Sequence, residues 1–570
     1  MKKYILVMVL CTALLSCQDF LDTESLTKKT TADFPVSQND AIQMITGIYA
    51  TLNDATAEID THHFFTAEVA SDDRFGGGSS SNRNAQASDR MLVPNLNDFE
   101  YFWSARYSGI FRANTAIETM DNVQEWTTEG KREELLGEAY FLRALFYFEL
   151  EQMFGEVPLV LETAPVNLPK SPAVEVYAQI TSDLLHAIEL LPDTRFGNFE
   201  SGRATKWASE ALLARVFLFY TGYYKQTSLP VKDGNQLEKS TVISHLEDCI
   251  NNSGHNLISD PRELWPYCNQ YTAADYPYAA QNGLNWAGDG NIETVFAVKF
   301  SNIADWSSTE SIGFSNRFCL YFALRADANG MSSFPFGLGW ANGTANKKLW
   351  DDWESAEPND IRRKGSIINI NEEYPGYVGQ TAKQREGTGF WAKKYISIQA
   401  YSEDKSTIYD TYAFYEGASN DYQTGLTQDL VLIRFADVLL MHSELTETAD
   451  GINKVRARAG LENVSFSLDA LKAERRWELC FEGQRWFDLM RWGDAATVIP
   501  ANQVGVTIKN LTKTESYKFD SADKEFSQRY EVTGGFWPIP STQISLSEGV
   551  LVQNKGWTDE GTCIFTVLPY

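Results

Sequence analysis

A short acidic run followed by glycines is the first segment whose side chains could bind a ligand. It covers residues 68–78 and reads EVASDDRFGGG. Asp72, Asp73 and Arg74 could exchange hydrogen bonds with the hydroxyl groups of a ligand, from a loop that the glycines make mobile. The alternative is a solvated loop in which an aspartate caps a turn. Both interpretations predict that the segment is open to solvent.

Aromatic rings supply the second kind of binding chemistry. Sixteen of the 85 residues from 261 to 345 are aromatic, and they stand among Asn, Asp and Gly. The apolar face of a sugar ring stacks on Trp or Tyr while neighbouring polar groups bind its hydroxyls. Any one of these rings can instead belong to the core, but we expect at least one exposed platform. The candidates are Trp265, Tyr276, Trp286, Trp306 and Trp340.

The motifs of the common enzyme classes are missing. The six histidines include no HExxH motif and no i,i+4 pair, which excludes zincin chemistry. The sequence GGGS at 76–79 is not a GxSxG elbow, and Gly337, Gly339 and Gly343 miss the GxGxxG spacing by one residue. A glycoside hydrolase needs two facing carboxylates, and 76 acidic residues single out no pair. We expect no catalytic residue, metal or cofactor, although a structural calcium ion in the acidic loops stays open.

The charge balance argues against nucleic acid as a partner. Lys and Arg total 49 against 76 Asp and Glu, which gives a formal net charge of −27. A surface of that sign repels phosphate backbones and anionic lipid headgroups. Neutral ligands are compatible with it.

The seven cysteines form no metal or redox motif. No CxxC pair occurs, so a zinc ribbon or a thioredoxin-like motif is excluded. The five cysteines that follow residue 17 are widely spaced and odd in number. We expect them to be buried thiols, or to form one or two disulfides.

The N-terminus carries the features of a bacterial lipoprotein signal. Lys2 and Lys3 precede an apolar run, Tyr4–Leu15, that is too short to span a bilayer. Residues 14–17 (LLSC) resemble a lipobox, so we expect cleavage after residue 16 and lipid attachment at Cys17, which would anchor the protein to a membrane. The alternative is an ordinary secretory signal that contains a cysteine.

The periodicity of apolar residues divides the chain into regions. Residues 1–16 are the signal and 17–37 a tether; 38–255 are helical apart from a loop insertion at 57–97. Residues 256–428 form an irregular, aromatic-rich insert, and 429–570 a second helical region with a tail. Helices are expected at 39–53, 98–121, 129–154, 172–191, 204–224, 238–252, 430–447, 449–460 and 469–492, the last interrupted at Gly483. Successive helix pairs predict a mostly α fold of tetratricopeptide-like hairpins with an irregular insert and minor β structure.

Three segments resemble the SusD/RagB-like outer-membrane lipoproteins of Bacteroidetes. They are 103–120 (WSARYSGIFRANTAIETM), 138–160 (EAYFLRALFYFELEQMFGEVPLV) and 471–492 (LKAERRWELCFEGQRWFDLMRW), followed by FWPIP at 536–540. The acidic stretch at 18–24 also resembles the surface-export signals of these lipoproteins. In the third segment the charged residues can form ion pairs around Trp477, Phe481 and Trp486, so we interpret it as scaffold and not as a ligand site.

The resemblance implies a non-catalytic glycan-binding lipoprotein on the outer face of the outer membrane. Such proteins hold an oligosaccharide or polysaccharide and deliver it to a SusC-like TonB-dependent transporter. The ligand-binding residues would be Asp72, Asp73, Arg74, Tyr276, Trp286, Trp306 and Trp340. Some relatives take peptides, so a peptide-binding uptake protein is the alternative; a scaffold that binds only proteins and a surface glycoside hydrolase are the others. The sequence does not name the sugar.

Overall fold

The computed structural model describes residues 34–557, except 379–383, 416, 418–419, 511–514 and 520. The predictions for the signal, for lipidation at Cys17 and for most of the tether lie outside these residues. Within the described part, no helix is both long enough and apolar enough to cross a membrane. The four cysteines that it contains, at 249, 268, 319 and 480, are buried free thiols.

The N-terminal region is a stack of helices. They are α1 (Gln38–Asp54), α2 (His63–Ala70), α3 (Arg83–Ser88), α4 (Glu100–Thr119), α5 (Lys131–Phe154), α6 (Ala173–Leu190), α7 (Lys206–Tyr223) and α8 (Lys239–Asn252). From α4 to α8 each helix packs on the next, as in helical-hairpin repeats. Gly109 permits the close approach of α4 to α5, because a Cβ there would lie 2.5 Å from the Phe146 ring.

Residues 256–428 contain short helices and strands. The helices are α9 (Pro277–Asn282), α10 (Thr309–Ile312), α11 (Arg317–Phe322), α12 (Lys347–Ala356), α13 (Ile361–Ser366), α14 (Ile370–Glu373) and α15 (Tyr412–Tyr415). The C-terminal region adds α16 (Phe435–Thr446), α17 (Asp450–Arg458), α18 (Leu468–Leu479), α19 (Arg485–Trp492), α20 (Ala495–Gln503), α21 (Lys524–Thr533) and α22 (Ser541–Leu546).

The strands of the described residues pair only in twos, always antiparallel. They are β1 (Arg74–Gly77), β2 (Ser228–Pro230), β3 (Gln236–Glu238), β4 (Thr294–Val298), β5 (Asn342–Ala345), β6 (Ile367–Asn369), β7 (Phe390–Ala392), β8 (Gln399–Tyr401), β9 (Ile408–Asp410), β10 (Leu430–Arg434), β11 (Thr507–Asn510) and β12 (Glu515–Lys518). The pairs are β1–β5, β2–β3, β4–β10, β6–β7, β8–β9 and β11–β12. The predicted mostly helical fold with minor β structure is confirmed.

Two details of the predicted C-terminal helices were settled by tertiary contacts. The helix expected at 430–447 was wrong at its start, because residues 430–434 form β10 and pair with β4 from the middle region. The expected interruption near Gly483 is confirmed: α18 and α19 are separate helices. Gly483 has a φ of +76°, and a Cβ there would lie 2.6 Å from Phe64, so glycine fits both the backbone and the packing.

Buried ion pairs on α18 and the link after it connect the C-terminal region to the middle region. The carboxylate of Glu478 accepts hydrogen bonds from Arg362 Nη1 (2.8 Å) and Arg434 Nη1 (2.5 Å), and it also pairs with Arg458. Arg434 in turn pairs with Glu482 through Nε at 2.6 Å. All of these side chains are at most 5 % exposed. The prediction that this segment is scaffold agrees with these contacts.

A second group of ion pairs joins α16, α18 and α19. Arg475 binds Asp488 through Nε at 2.8 Å and Asp437 through Nη1 at 2.7 Å. Arg491 of α19 binds Glu444 of α16 at 2.5 Å. Charges this deep are stable only when each is paired and hydrogen-bonded. The geometry of the C-terminal part of the fold therefore depends on the position of α18.

We expect Glu478→Gln to lower the free energy of unfolding by about 3–5 kcal/mol at pH 7, because it leaves buried guanidinium groups uncompensated. Burial would raise the pKa of Glu478, but Arg458, Arg434 and Arg362 outweigh it and hold that pKa well below its usual range. The unfolded chain binds the proton of the Glu478 carboxyl more readily than the folded protein does. The stability that Glu478 contributes is therefore present above about pH 4 and shrinks as the pH falls further.

Urea denaturation at pH 7 and at low pH measures this effect. Asp351→Asn is the matched control, because Asp351 forms a half-exposed pair with Lys347 and should change stability by about 0.5 kcal/mol or less. A loss below about 1 kcal/mol for Glu478→Gln would contradict the assignment.

Candidate functional site

The acidic run at 72–74 is not an exposed loop. Asp72, Asp73 and Arg74 are at most 1 % exposed, and Arg74 begins β1, which pairs with β5. Asp72 accepts hydrogen bonds from Arg485 Nε at 2.8 Å and Nη2 at 2.9 Å. The predicted mobile loop is therefore wrong, because ion pairs with the C-terminal helices draw this segment into the interior.

The other two residues of the run are engaged in the same way. Asp73 accepts a hydrogen bond from Arg476 Nε at 2.8 Å. Arg74 donates to Glu68 at 2.6 Å and to the carbonyl of Gly343 at 2.5 Å. Burial would raise the pKa of Asp72, but Arg485 and Arg476 outweigh it and lower that pKa. These residues stabilise the fold, and we assign no ligand contact to them.

Four of the five aromatic candidates lie in or against the core, and the fourth, Trp340, is described with the platform below. Trp265 is 5 % and Tyr276 3 % exposed. The hydroxyl of Tyr276 donates to Glu373 at 2.5 Å, and its ring packs on Phe336. Trp286 is half-buried and packs against the core. The prediction of an exposed Tyr276 was wrong, because its hydroxyl finds a partner inside the protein.

Trp306 and Trp340 are brought together around Arg317. Trp306 is 54 % exposed, and Trp340 is half-buried with its ring centroid 4.6 Å from that of Tyr321. The guanidinium carbon of Arg317 lies 5.8 Å from the Trp306 centroid, 5.7 Å from that of Trp340 and 5.8 Å from that of Tyr321. We call Trp306, Arg317, Tyr321 and Trp340 the aromatic platform.

Backbone hydrogen bonds fix the platform. Helix α11 supplies Arg317 and Tyr321, and the chain returns across it so that Trp340 N–H donates to the Leu320 carbonyl at 3.0 Å. This return needs Gly339, where a Cβ would lie 2.4 Å from the Leu320 carbonyl oxygen and the Ala323 side chain. Arg317 Nη1 donates to the Ala57 carbonyl at 3.1 Å, which ties the platform to the N-terminal region.

Polar groups border the exposed ring. Trp306 Nε1–H donates to Asp421 Oδ2 at 3.1 Å. Tyr422, the next residue, is 36 % exposed. Asp305 accepts hydrogen bonds from Ser307 N–H and Ser311 Oγ, each at 2.8 Å, which order the loop that carries Trp306. A flat ring beside carboxylate and hydroxyl groups is the arrangement that binds sugars.

The sequence did not indicate Arg317, Tyr321, Asp421 or Tyr422. Asp421 lies 115 residues from Trp306, and no local motif links the two. Among the described residues, no group of three or more His, Cys, Asp or Glu could hold a metal ion.

A group of acidic residues lies near Arg317. Burial, together with the charges of Glu58 and Asp98, raises the pKa of Asp60 to about 6, while Arg317 partly opposes the rise. The charge of Asp60 also helps to raise the pKa of Tyr321, so Asp60 lies near the platform. At pH 7 it therefore carries a charge that the fold disfavours.

We expect Asp60→Asn to stabilise the protein by about 1–2 kcal/mol above pH 6.5, with little effect near pH 4. The pKa of Asp60 is higher in the folded protein than in the unfolded chain. As the pH rises from about 4 to 6, the unfolded chain therefore releases this proton first, and the wild type loses stability. Asparagine mimics the neutral form at every pH. Urea denaturation across this range measures the difference, with Asp351→Asn as control; a pH-independent difference would contradict the assignment.

Comparisons with known proteins agree with this architecture. The model of the SusD family matches residues 249–557, and a family described as starch-binding associating with outer membrane matches residues 19–218. A SusD-like protein, P2, of Formosa agariphila is 26 % identical over 531 residues, which covers 86 % of this chain and 91 % of that protein.

Two solved structures have the same fold. A laminarin-binding SusD-like protein superimposes with a TM-score of 0.67 at 23 % identity, over 92 % of this chain and 100 % of that one. Surface glycan-binding protein A of Bacteroides thetaiotaomicron, in complex with laminarihexaose, gives a TM-score of 0.68 at 21 % identity, over 91 % and 100 % of the two chains. Because the SusD model matches more than half of its length, the chain belongs to the SusD family.

Proposed function

We propose that this protein is a non-catalytic glycan-binding lipoprotein that captures an oligosaccharide or polysaccharide at the cell surface and delivers it to a SusC-like TonB-dependent transporter. The observation that carries the proposal is the convergence of Trp306 and Trp340 on Arg317. Two structural neighbours are named for binding laminarin or are complexed with a laminarin oligosaccharide.

The platform suits a sugar. The exposed face of Trp306 offers a flat apolar surface, and the Arg317 guanidinium carbon lies 5.8 Å from its ring centroid and 5.7 Å from that of Trp340. Stacking on a ring already fixed by neighbours costs little side-chain entropy. Asp421 and Tyr422 provide a carboxylate and a hydroxyl for the sugar's own hydroxyl groups.

Hydrolysis needs an acid and a second carboxylate on opposite sides of the scissile bond. Asp305 and Asp421 are engaged in holding the Trp306 loop. Burial and the charges of Glu58 and Asp98 raise the pKa of Asp60 to about 6, which would suit an acid, but among the described residues Asp60 forms no hydrogen bond with a platform side chain. Binding without cleavage is therefore the function that we propose.

We expect Trp306→Ala and Trp340→Ala each to weaken glycan binding about 10- to 30-fold, since each removes an aromatic contact of about 2 kcal/mol. Affinity electrophoresis of the lipid-free protein through polysaccharide gels names the ligand, and titration calorimetry on the matching oligosaccharide gives the affinity. Phe111→Ala is the control, because Phe111 is 52 % exposed on α4, outside the platform.

Two results would contradict the proposal. Unchanged affinity in both tryptophan variants would remove the platform from the binding site. Release of reducing ends from a retarded polysaccharide, abolished by Asp60→Asn, would instead support a glycoside hydrolase. If no polysaccharide slows the protein but a peptide library binds, the peptide-uptake alternative is favoured.

Attachment to the outer membrane would come from Cys17. We expect Cys17→Ala to abolish incorporation of labelled fatty acid and to move the protein from the membrane to the soluble fraction of the cell, because the lipid would be its anchor. Cys11→Ala, in the apolar run of the signal, is the matched control and should leave both unchanged. Labelling that persists in Cys17→Ala would contradict the anchor. Co-purification of a transporter with the wild-type protein tests the partner.

A further inference from the structure

Arg325, at the edge of the aromatic platform, has no anionic partner among the residues that the structure describes. It follows Leu324, whose carbonyl accepts a hydrogen bond at 2.7 Å from the N–H of Gly339, the residue before Trp340. Its side chain is half-buried, and its Nε is buried without a hydrogen-bond partner. Within the part of the chain that the structure describes, Arg325 forms no ion pair.

Two tyrosines lie near Arg325. Burial lowers the pKa of Arg325, and Tyr377 and Tyr422 act on it in the opposite direction. The N–H groups of Gly339 and Ala341, on either side of Trp340, donate to the carbonyls of Leu324 and Ala323, so Arg325 directly follows the backbone that supports the platform. The hydroxyl of Tyr377 donates to the backbone carbonyl of Arg325 and positions the base of its side chain.

The nearby carboxylate of Asp327 is engaged elsewhere. Its Oδ2 accepts a hydrogen bond from Val378 N–H at 2.7 Å, and its Oδ1 accepts from Asn329 N–H at 2.8 Å and Met331 N–H at 3.2 Å. These bonds hold the carboxylate on the backbone of its own loop. Asp327 therefore does not neutralise Arg325 by direct contact.

The contrast with the buried arginines of the scaffold is strong. Arg362, Arg434 and Arg475 each pair with at least two carboxylates. The protein has 76 acidic residues to pair with 49 basic ones, so anions are not scarce. A half-buried guanidinium left unpaired costs stability, and such exceptions are concentrated at functional sites.

We propose that the glycan bound on the platform is anionic, and that Arg325 binds its carboxylate or sulfate group while the sugar ring stacks on Trp306. This inference rests on the proposed function and adds the chemical class of the ligand. A guanidinium presents a planar fork of N–H donors that fits the paired oxygens of either group. Arg317, which pairs with no carboxylate among the described residues, adds a second positive charge at the same place.

The overall negative charge of the protein does not prevent an anionic glycan from binding at Arg325. At physiological ionic strength the screening length is about 8 Å, so most of the acidic surface acts weakly on a group bound at Arg325. The carboxylates nearest the platform are Asp421, which binds Trp306, Asp305 in the Trp306 loop, and Asp60 and Glu58, which act on Tyr321. A short contact with a partly buried cation outweighs screened repulsion from a distance.

Matched polysaccharides test the inference. Polygalacturonate is compared with its carboxyl-reduced form, and a sulfated galactan with its desulfated form, by affinity electrophoresis and by calorimetry on fragments. We expect the wild type to bind one anionic form at least about tenfold more tightly than its neutral derivative. Which pair shows the preference distinguishes a carboxylate from a sulfate.

Variants assign the effect to Arg325. Arg325→Gln should remove the preference for the anionic form and leave binding of the neutral form unchanged, whereas Arg325→Lys should keep part of it. Arg195→Gln is the control, because Arg195 is an exposed arginine without an ion pair among the described residues, in the loop between α6 and α7, and its loss changes the net charge equally. Thermal unfolding checks that all variants fold.

The outcomes separate this inference from the proposed function. Equal binding of charged and neutral forms, or an unchanged preference in Arg325→Gln, would overturn the anionic ligand while glycan capture on Trp306 stands. Failure of the wild type to bind any polysaccharide or oligosaccharide would overturn both. A loss in Arg195→Gln as large as in Arg325→Gln would assign the effect to net charge and also overturn the inference.

Discussion

The structure depends on the buried ion pairs that α18, the link after it and α19 form with residues from distant parts of the chain. Glu478 binds Arg362 from the middle region and Arg434 from the end of β10, and Asp72 and Asp73 bind Arg485 and Arg476. Each of these charges is too deeply buried to exist without its partner. The helices, the middle region and the loop insertion can therefore reach this arrangement only together, which makes the ion pairs a constraint on the whole fold.

The aromatic platform is built on this base. Helix α11 and the return segment that carries Trp340 lie over the core, and Arg317 is tied to Ala57 of the N-terminal region. Trp306 stands on a loop that begins after β4, the strand that pairs with β10, and β10 ends at Arg434 of the ion-pair network. A rigid scaffold thus carries loops whose exposed rings can differ without disturbing it. This division suits a family whose members bind different ligands.

Charge has different roles in the two parts of the molecule. In the scaffold, cations and anions are matched and buried, and they specify which helices meet. At the platform, Arg317 contacts aromatic rings, and Arg325 forms no ion pair with any described residue, so its guanidinium is free to meet a ligand. The net charge of −27 disfavours extended phosphate polymers as partners, yet it does not describe this local surface.

Apolar periodicity and a few motifs were enough to predict the helical hairpins from α4 to α8, the break at Gly483, the scaffold nature of 471–492 and the family, because these features are local in sequence. The sequence also indicated Trp306 and Trp340 as candidate rings. It could not show that Asp72, Asp73 and Arg74 are buried, that Tyr276 points inward, or that residues 430–434 form a strand, since each outcome depends on a partner far along the chain. Nor could it assign Arg317 and Arg325 to the site. Whether a charged or aromatic side chain stabilises the fold or faces a ligand is decided by what the tertiary structure places within a few ångströms of it.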